Sequence, residues 1–390
     1  MSSVAEEKNL GTKPFISSVQ EVSHSQQWAA TDRSYATWVR QFDTIGQREC
    51  IVIRRQLRAL RQHPLISIVL PVFNPDLAQL SAAIESVRAQ LYENWQLCIA
   101  DDASTDSAVA PLLREIAGSD SRIDVVFRNQ NGQIAGCSNS ALALARGEWV
   151  AFLDQDDLLA PHALAFVVAE IEQRPDIALI YSDEDKIDEN GARTEPYFKS
   201  DWNPELFRVQ NFINHLAVYR HSLLREIGGL RDGFDGSQDY DLLLRYIEKL
   251  RAEQIHHVPR VLYHWRKSVG SVASRPEAKL YAHESARRAV REFLARQKIA
   301  ARVEPCPEDK AAHRVAYEMP AEVPSVSIII PTRDQPALLR RCIDTLRGQT
   351  DYANLEIVIV DNGSTERQTI VLLNELRHTS NRGPIGPGSN

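Results

Sequence analysis

Two groups of carboxylates in the first half of the sequence could carry chemistry at a shared site. Asp101 and Asp102 follow one apolar run, and Asp154 and Asp156 follow another. Two carboxylates in an Asp-x-Asp pattern can converge on one ion, and hard oxygen ligands suit Mg²⁺ or Mn²⁺ with positions left for phosphate oxygens. The pattern therefore favours a divalent cation, although a solvated turn or a helix N-cap before Leu158 is an equally common reason for it.

Two further groups lie later in the chain. Asp239 stands at the start of an apolar helical pattern, where an acid has either a chemical role or a capping role. His264, Trp265 and Arg266 follow an apolar strand pattern and set an imidazole, an indole and a guanidinium side by side. A lone histidine is usually structural, but this grouping favours a functional one.

The Asp101-Asp102 pair at a strand end can accept a hydrogen bond from a nucleobase N–H group. Capping of the next helix by Asp102, Ser104 or Asp106 is the competing explanation, but it leaves the double carboxylate without a use. No GxGxxG follows the first strand pattern and no GxxxxGK[ST] occurs, so dinucleotide-binding and P-loop sites lack their main signature.

Short apolar runs alternate with amphipathic segments and must position these groups. The strand patterns lie at residues 65–71, 95–100, 123–127 and 148–153. Their alternation with helical patterns predicts an α/β fold with a parallel sheet and right-handed crossovers. Ligands of such sheets bind beyond the carboxyl ends of the strands, and both acidic groups fall at those ends.

An internal repeat divides the chain. The run that starts at Ile66, with its acidic motif at Asp102, recurs 260 residues later from Val326, with Asn362 in the place of Asp102. We therefore expect three regions: a partly disordered and helical extension over 1–63, one complete α/β domain over 64–320, and the start of a second over 321–390. The second copy as given carries no Asp-x-Asp pattern and is expected to be non-catalytic.

Composition excludes several classes of protein. The net charge of −7 argues against broad binding of nucleic acid. Five scattered cysteines without a CxxC pair predict neither a disulfide framework nor a zinc site, and they favour a reducing, cytoplasmic compartment. No apolar stretch approaches 18 residues. The arginine-rich segment 48–61 fits either a helix that caps the domain or a basic amphipathic helix lying peripherally on the inner face of the plasma membrane.

The ordered set of motifs resembles the family 2 glycosyltransferases of the GT-A fold, a Rossmann-like, mostly parallel sheet flanked by helices. The resemblance covers about residues 65–271. Its main motifs are Pro71-Val-Phe-Asn, Ala100-Asp-Asp-Ala-Ser-Thr-Asp, Phe152-Leu-Asp-Gln-Asp-Asp, Ser237-Gln-Asp-Tyr-Asp-Leu and Tyr263-His-Trp-Arg. Tyr181-Ser-Asp-Glu-Asp-Lys-Ile-Asp and Trp202-Asn-Pro-Glu-Leu resemble a bacterial O-antigen and surface-polysaccharide subgroup, often tandem and rich in rhamnosyltransferases.

The resemblance implies transfer of a sugar, with inversion, from a nucleoside diphosphate sugar to a growing glycan. The implied acceptor is lipid-linked, and the implied partners include other glycan-assembly enzymes. It also implies these roles: Pro71, Phe73, Asp101 and Asp102 at the base, Asp154 at the ribose, Asp156 and His264 at Mg²⁺ or Mn²⁺, Arg266 at the diphosphate, and Asp239 as general base. One base and a stabilised leaving group suffice for a single displacement.

The donor stays open between dTDP-rhamnose and a UDP-sugar. Two other classes of function also stay open. The first is a non-catalytic nucleotide-sugar-binding or scaffold module of a larger glycan synthase. The second is a nucleotidyltransferase, which would need a glycine-rich phosphate loop after the first strand, where Pro71-Val-Phe-Asn-Pro stands instead.

Overall fold

The computed structural model describes residues 34–267, 276–308 and 312–379, with side chains omitted at 276–280. The chain divides into two compact units, Met1–Tyr317 and Glu318–Asn390. The segment predicted to be partly disordered lies before residue 34, outside the described residues.

The strands of the first unit are short and mostly buried. In its main sheet they are β1 (Ile66–Val72), β2 (Trp95–Asp101), β3 (Ile123–Phe127), β4 (Trp149–Phe152), β5 (Leu158–Leu159), β6 (Leu179–Ile187), β7 (Arg193–Tyr197), β8 (Ala217–Arg220) and β9 (Ile255–Arg266). A separate antiparallel pair consists of β10 (Ala301–Pro305) and β11 (His313–Tyr317).

Helices precede the sheet and connect its strands. They are α1 (Tyr35–Phe42), α2 (Gln47–Arg58), α3 (Leu77–Arg88), α4 (Val109–Ser119), α5 (Gln133–Leu142), α6 (Ala163–Gln173), α7 (Pro204–Val209), α8 (His221–Glu226), α9 (Gln238–Ile247) and α10 (Pro276–Arg296). Among the described residues, no helix combines the length and apolar character needed to cross a membrane.

The main sheet confirms the predicted α/β class. Its strand order is β3-β2-β1-β4-β8-β6-β9-β5, and β7 pairs with β6. Among the strands of the described chain, β5, β7 and β8 run against the other six, so the sheet is mostly parallel. Because β2, β1 and β4 are neighbours and parallel, their carboxyl ends lie along one edge.

The core explains why these segments take these forms. The β-branched run of β1 is buried on both faces, as expected of a strand covered by helices on each side. On α3 the buried residues Leu80, Ile84 and Val87 recur every three or four positions, and Asp76 caps the helix by accepting from two backbone N–H groups.

Helices α1 and α2 precede β1 and pack on the sheet of the first unit. Ile53 and Leu57 of α2 are buried in the core of the sheet domain. Tyr35 and Asp43, at the two ends of α1, contact side chains of the β6–β7 hairpin. These helices therefore share the core and the polar contacts of the unit that they precede.

The second unit repeats the start of the first. It consists of β12 (Val326–Thr332), α11 (Pro336–Gln349), β13 (Leu355–Asp361) and α12 (Arg367–Thr379), with β12 and β13 parallel. The backbone N–H of Asn362 donates to Thr332 O at 2.9 Å, as that of Asp102 donates to Val72 O at 2.8 Å. The repeat read from the sequence is thus also a repeat of backbone contacts.

Candidate active site

A cleft of about 500 Å³ opens at the carboxyl edge of the sheet and collects residues from distant parts of the chain. Pro71 at the end of β1 and Asp154 and Asp156 after β4 line it together with Asp239 of α9 and Trp265 of β9. The described structure therefore brings four of the predicted site residues to one cavity.

The loop after β4 is held by a buried carboxylate that the sequence reading did not single out. Asp157 is fully buried and accepts from Tyr263 Oη at 2.7 Å and from the backbone N–H of Arg266 at 2.8 Å. Burial, followed by the charges of Asp154 and Asp156, raises the pKa of Asp157 to about 8. These contacts fix the two neighbouring carboxylates relative to β9.

Hydrogen bonds with two further residues, Phe73 and Arg266, hold this loop in place. Gln155 accepts from the backbone N–H of Phe73 at 2.9 Å, and its amide lies 3.3 Å from Phe73 O. Arg266 Nε donates to Asp156 O at 2.8 Å. Phe73 stands exposed beside the loop, and Arg266 contacts the backbone of the loop.

Asp154 lines the cleft together with the ionisable side chains of Asp156, His215 and Asp239. Loss of hydration there raises the pKa of this carboxyl, the charge of His215 opposes the rise, and Asp156 and Asp239 add to it. Carboxylates that repel one another are stabilised by a bound cation or by cationic side chains. The cleft is therefore poised for a positively charged ligand or for a neighbouring imidazolium.

Asp239 lies in the first turn of α9, where the helix dipole favours a negative charge. Its Oδ2 accepts from Asn214 Nδ2 at 2.5 Å and from Asn211 Nδ2 at 3.0 Å. Because both amides use the same oxygen, Oδ1 is left for a ligand in the cleft. The carboxylate thus has the position and the orientation that a base requires.

His215 lies among the carboxylates of the cleft. Its ring stacks on Tyr263 with centroids 4.7 Å apart, and its Nε2 lies 3.9 Å from Asp154 Oδ2. Burial alone would lower the pKa of His215, but the hydrogen bond and charge of Glu184, with a smaller contribution from Asp154, raise it to about 9. His215 and Asn211 therefore both lie beside carboxylates of the cleft.

A buried lysine supports the segment that carries Asn214 and His215. Lys199 Nζ donates to Ile213 O at 3.0 Å and to His215 O at 2.6 Å. Burial lowers the pKa of Lys199 to about 8, against the opposing charge of Glu184. The lysine satisfies backbone carbonyls that would otherwise be buried without partners.

Asp102 lies at the same edge, at the end of β2, and is buried. Its two oxygens accept from the backbone N–H of Gly132 at 2.9 and 3.1 Å, and Arg128 Nε lies 2.7 Å from Oδ1. Asp101 instead accepts from the backbone N–H of Ser104 at 3.3 Å, within its own turn. Asp101, the first carboxylate of the pair, therefore has a local contact, and its role at the base stays a prediction.

His264 pairs with a buried carboxylate through one of its two ring nitrogens. Its Nδ1 lies 2.5 Å from Oδ1 of Asp185, a fully buried carboxylate on β6. Oδ2 of Asp185 accepts from Tyr35 Oη at 2.7 Å and from Arg193 Nε at 2.5 Å. The carboxylate that pairs with Nδ1 of His264 therefore also holds α1, and the metal-ligand role of His264 stays a prediction.

A metal would find few protein ligands here. Among the residues that the structure describes, no group of three or more His, Cys, Asp or Glu side chains could hold a metal ion. Asp154 and Asp156 still offer hard oxygen donors in the cleft. Mg²⁺ typically takes one or two protein carboxylates and completes its shell with water and substrate phosphates, so the donor set fits a cation that arrives with a phosphate ligand.

The sequence contains partial signals for three further residues of the site, Arg128, Gly132 and Asn214. Gly132 and Arg128 follow β3 and therefore lie at the same edge as Asp102. Asn214 is a polar residue in an apolar run, between Ile213 and Leu216, where an amide needs a specific partner. Neither the position of β3 nor this interruption identifies the carboxylate that is contacted.

Comparison with known families gives one match over more than half of the chain. The sequence profile described as "Glycosyl transferase family 2" matches residues 67–228 and 327–385. The first segment runs from β1 to the end of α8, and the second lies in the repeated unit.

Two curated relatives align with more than four fifths of this chain, and both are much longer than it. An uncharacterized protein, y4gI, of Sinorhizobium fredii is 47% identical over 348 residues, which cover 88% of this chain and 37% of that protein. The O-antigen biosynthesis protein RfbC of Myxococcus xanthus is 41% identical over 317 residues, which cover 81% of this chain and 24% of that protein. The chain thus spans between about a quarter and a little over a third of these relatives.

Among solved structures, residues 1–349 of S. aureus TarS in complex with UDP-GlcNAc match with a TM-score of 0.48 at 20% identity. The match covers 59% of this chain and 66% of that one. The mannosyltransferase PcManGT from Pyrobaculum calidifontis, in complex with GDP-Man and Mn²⁺, matches with a TM-score of 0.44 at 16% identity, covering 64% and 71%.

Proposed function

The chain belongs to glycosyltransferase family 2, and on that premise we propose that it transfers a sugar from a nucleoside diphosphate sugar to a hydroxyl of a growing cell-surface polysaccharide. The name of the Myxococcus xanthus relative supports O-antigen biosynthesis as the setting. We further propose a lipid-linked acceptor, as the resemblance implies.

One observation carries the proposal: Asp239 lines the same cleft as Asp154 and Asp156, and only its Oδ2 is held by the two asparagine amides. The free Oδ1 accepts the proton of the acceptor hydroxyl as that oxygen attacks the anomeric carbon. The bond to the diphosphate oxygen breaks on the opposite face. Such a single displacement inverts the anomeric configuration and needs one carboxylate base, without a nucleophilic second carboxylate.

The donor would bind along the edge formed by β2, β1 and β4. We propose that Asp102 recognises the base, since its position is fixed by Gly132 and Arg128. The family resemblance keeps UDP and dTDP sugars as the preferred donors. Asp154 is proposed to lie near the ribose, and Arg266 beside the diphosphate.

Asp156, with Asp154, would hold Mg²⁺ or Mn²⁺ together with phosphate oxygens. The cation would neutralise charge on the departing diphosphate. His215 adds a positive charge from the protein itself, because its pKa of about 9 keeps the imidazole protonated at neutral pH. The cleft therefore combines a negatively charged base on α9 with cationic stabilisation on the side of the leaving group.

A thermal-unfolding panel tests the proposal. The full chain is heated with UDP, dTDP and GDP, each with and without Mn²⁺, and the preferred nucleotide should stabilise it by about 2.7 kcal/mol at a concentration of 100 Kd. Transfer is then assayed with the matching nucleotide sugar and a lipid-linked acceptor. Binding without transfer by the wild-type chain would favour the scaffold alternative, and the absence of binding to all three nucleotides would overturn the proposal.

A further inference from the structure

Helix α2 has two faces with different environments. Ile53 and Leu57 are buried in the core of the first unit and anchor the inner face. The outer face is exposed along its whole length and contains four arginines and two aliphatic side chains: Arg48, Ile51, Val52, Arg54, Arg55 and Arg58. At about 100° per residue these six positions fall within an arc of about 160°, opposite the buried pair.

The charge of this outer face is not neutralised by its neighbours. In the described ranges, none of its four arginines takes part in a salt bridge, whereas arginines elsewhere, such as Arg88 and Arg193, are paired with carboxylates. Glu49 is the single acidic residue of α2, and it lies off this arc. A concentrated positive surface of this kind stands out on a chain whose net charge is −7.

Ile51 lies between arginines on this face, and Val52 lies at its edge beside Arg48. Ile51 is 66% exposed and Val52 is 38% exposed, although a large aliphatic side chain gains free energy when it leaves water. A partner that matches the face must accept apolar atoms in its centre and present negative charge around them. An anionic phospholipid surface has both properties, because its phosphates lie just outside its acyl chains.

We propose that the outer face of α2 binds an anionic phospholipid membrane, with the four arginines at the phosphates and with Ile51 and Val52 in the interfacial region. Nucleic acid would use the arginines but would leave the two aliphatic side chains in water. Since α2 is already folded and anchored by Ile53 and Leu57, binding requires no ordering of the helix. This inference is independent of the proposed transfer reaction.

Vesicle flotation tests the inference on the full chain. Vesicles of phosphatidylcholine alone are compared with vesicles that also contain phosphatidylglycerol, at low and at high salt. The wild-type chain should float with the phosphatidylglycerol vesicles at low salt only, since ionic screening weakens contacts between exposed charges. R54Q/R55Q should bind about 25-fold more weakly, because each arginine at an anionic surface contributes about fivefold in affinity.

Two controls separate charge, apolar contact and folding. R251Q/R302Q removes the same charge from two exposed positions elsewhere in the first unit and should bind as the wild type does. I51S should weaken binding several-fold at unchanged charge. Thermal unfolding of each variant reports whether the fold is retained, which is expected because the substituted side chains are exposed.

Three results would overturn the inference. The first is a wild-type chain that binds vesicles containing phosphatidylglycerol no better than vesicles of phosphatidylcholine alone. The second is an R54Q/R55Q variant that loses no more binding than R251Q/R302Q. The third is tight binding of a DNA or RNA oligonucleotide that depends on Arg54 and Arg55 but is unaffected by I51S, which would identify a nucleic acid partner instead.

Discussion

Asn214 and Asp239 are joined by a hydrogen bond of 2.5 Å from the amide Nδ2 to the carboxylate Oδ2. Asn211 binds the same oxygen at 3.0 Å. Two donors on one oxygen fix the rotation of the carboxylate, so the direction in which its other oxygen faces is set by residues outside α9. The asparagines are therefore positioning residues for the proposed base.

Removing this support should slow transfer without weakening donor binding. In N214A, Asp239 loses a hydrogen bond to a charged group, which is worth about 1.5–3 kcal/mol. We expect kcat to fall about tenfold to a hundredfold while KM for the nucleotide sugar stays near its wild-type value. Steady-state kinetics measures both, with N190A at an exposed turn as the matched control. A raised KM with unchanged kcat would contradict the positioning role.

Replacement of the base itself should have a larger effect. A positioned general base contributes about 10² to 10⁴ in rate, so D239N should lower kcat by that factor. Calorimetric titration should find unchanged affinity for the nucleotide, since Asp239 is proposed to contact the acceptor. D232N, an exposed substitution near the same helix, serves as the control. Full activity in D239N with an intact fold would exclude this residue as the base.

Asp102 should govern nucleotide affinity rather than the rate of transfer. D102N removes the charge that Arg128 and Gly132 hold in place, and loss of a charge-assisted hydrogen bond to the base corresponds to about 1.5–3 kcal/mol. We expect affinity for the preferred nucleotide to fall at least tenfold by calorimetry. D106N changes an exposed carboxylate of the same loop and should bind normally. Equal affinities in D102N and wild type would rule out base recognition by Asp102.

The buried carboxylate of Asp185 should contribute strongly to stability. D185N removes one of the two carboxylates that pair with Arg193 in a mostly buried site, and breaking a buried pair costs about 3–5 kcal/mol. Urea unfolding should find a decrease of that size in the free energy of unfolding. The matched control is E195Q, an exposed carboxylate on the same hairpin, which should change the free energy little. Similar midpoints for the two variants would refute the proposed contribution.

Acid should destabilise the first unit through buried histidines. Burial lowers the pKa of His162 to about 3, below the usual 6.5, so the folded state resists protonation that the unfolded state accepts. Stability from this group is complete above about pH 6.5 and is lost as the pH falls toward 3. His313, with a pKa lowered to about 4 by burial, acts in the same direction.

The variant H162L isolates one of these contributions. Between pH 6 and 4 its free energy of unfolding should fall less steeply than that of the wild type, by up to about 1.4 kcal/mol per pH unit. The slope should remain partly acid-dependent because His313 is still present. Urea unfolding at each pH measures both slopes, and parallel curves would show that His162 is not responsible.

Much of the fold followed from pattern alone. Alternating strand and helix signals fix a parallel sheet, and a parallel sheet puts the ends of neighbouring strands along one edge. The placement of Asp102 and Asp154 at that edge therefore needed no tertiary information. The backbone contact of Asn362 repeats that of Asp102, 260 residues earlier, because similar local sequences form similar turns.

The partners of polar side chains were harder to predict, since they depend on strand pairing across long stretches of chain. His264 lies opposite Asp185 in the parallel pairing of β6 with β9, 79 positions away. The Asp-Glu-Asp motif of β6 was visible, but nothing local assigns Asp185 to His264 or Asp183 to His257, which lie 2.9 Å apart. For the same reason, nothing local assigns Asn211 and Asn214 to Asp239.

The contact of Tyr35 with Asp185 has a consequence for the exchange of this domain between proteins. Tyr35 and Asp43 cover Asp185 and Arg193, so a chimaera whose foreign sequence joins the chain at β1 would leave a charged cluster uncovered beside β9. A recombination point that preserves the cluster lies before Ser34. Gene fusions and domain swaps among such transferases should therefore move α1 and α2 with the sheet, as one heritable module.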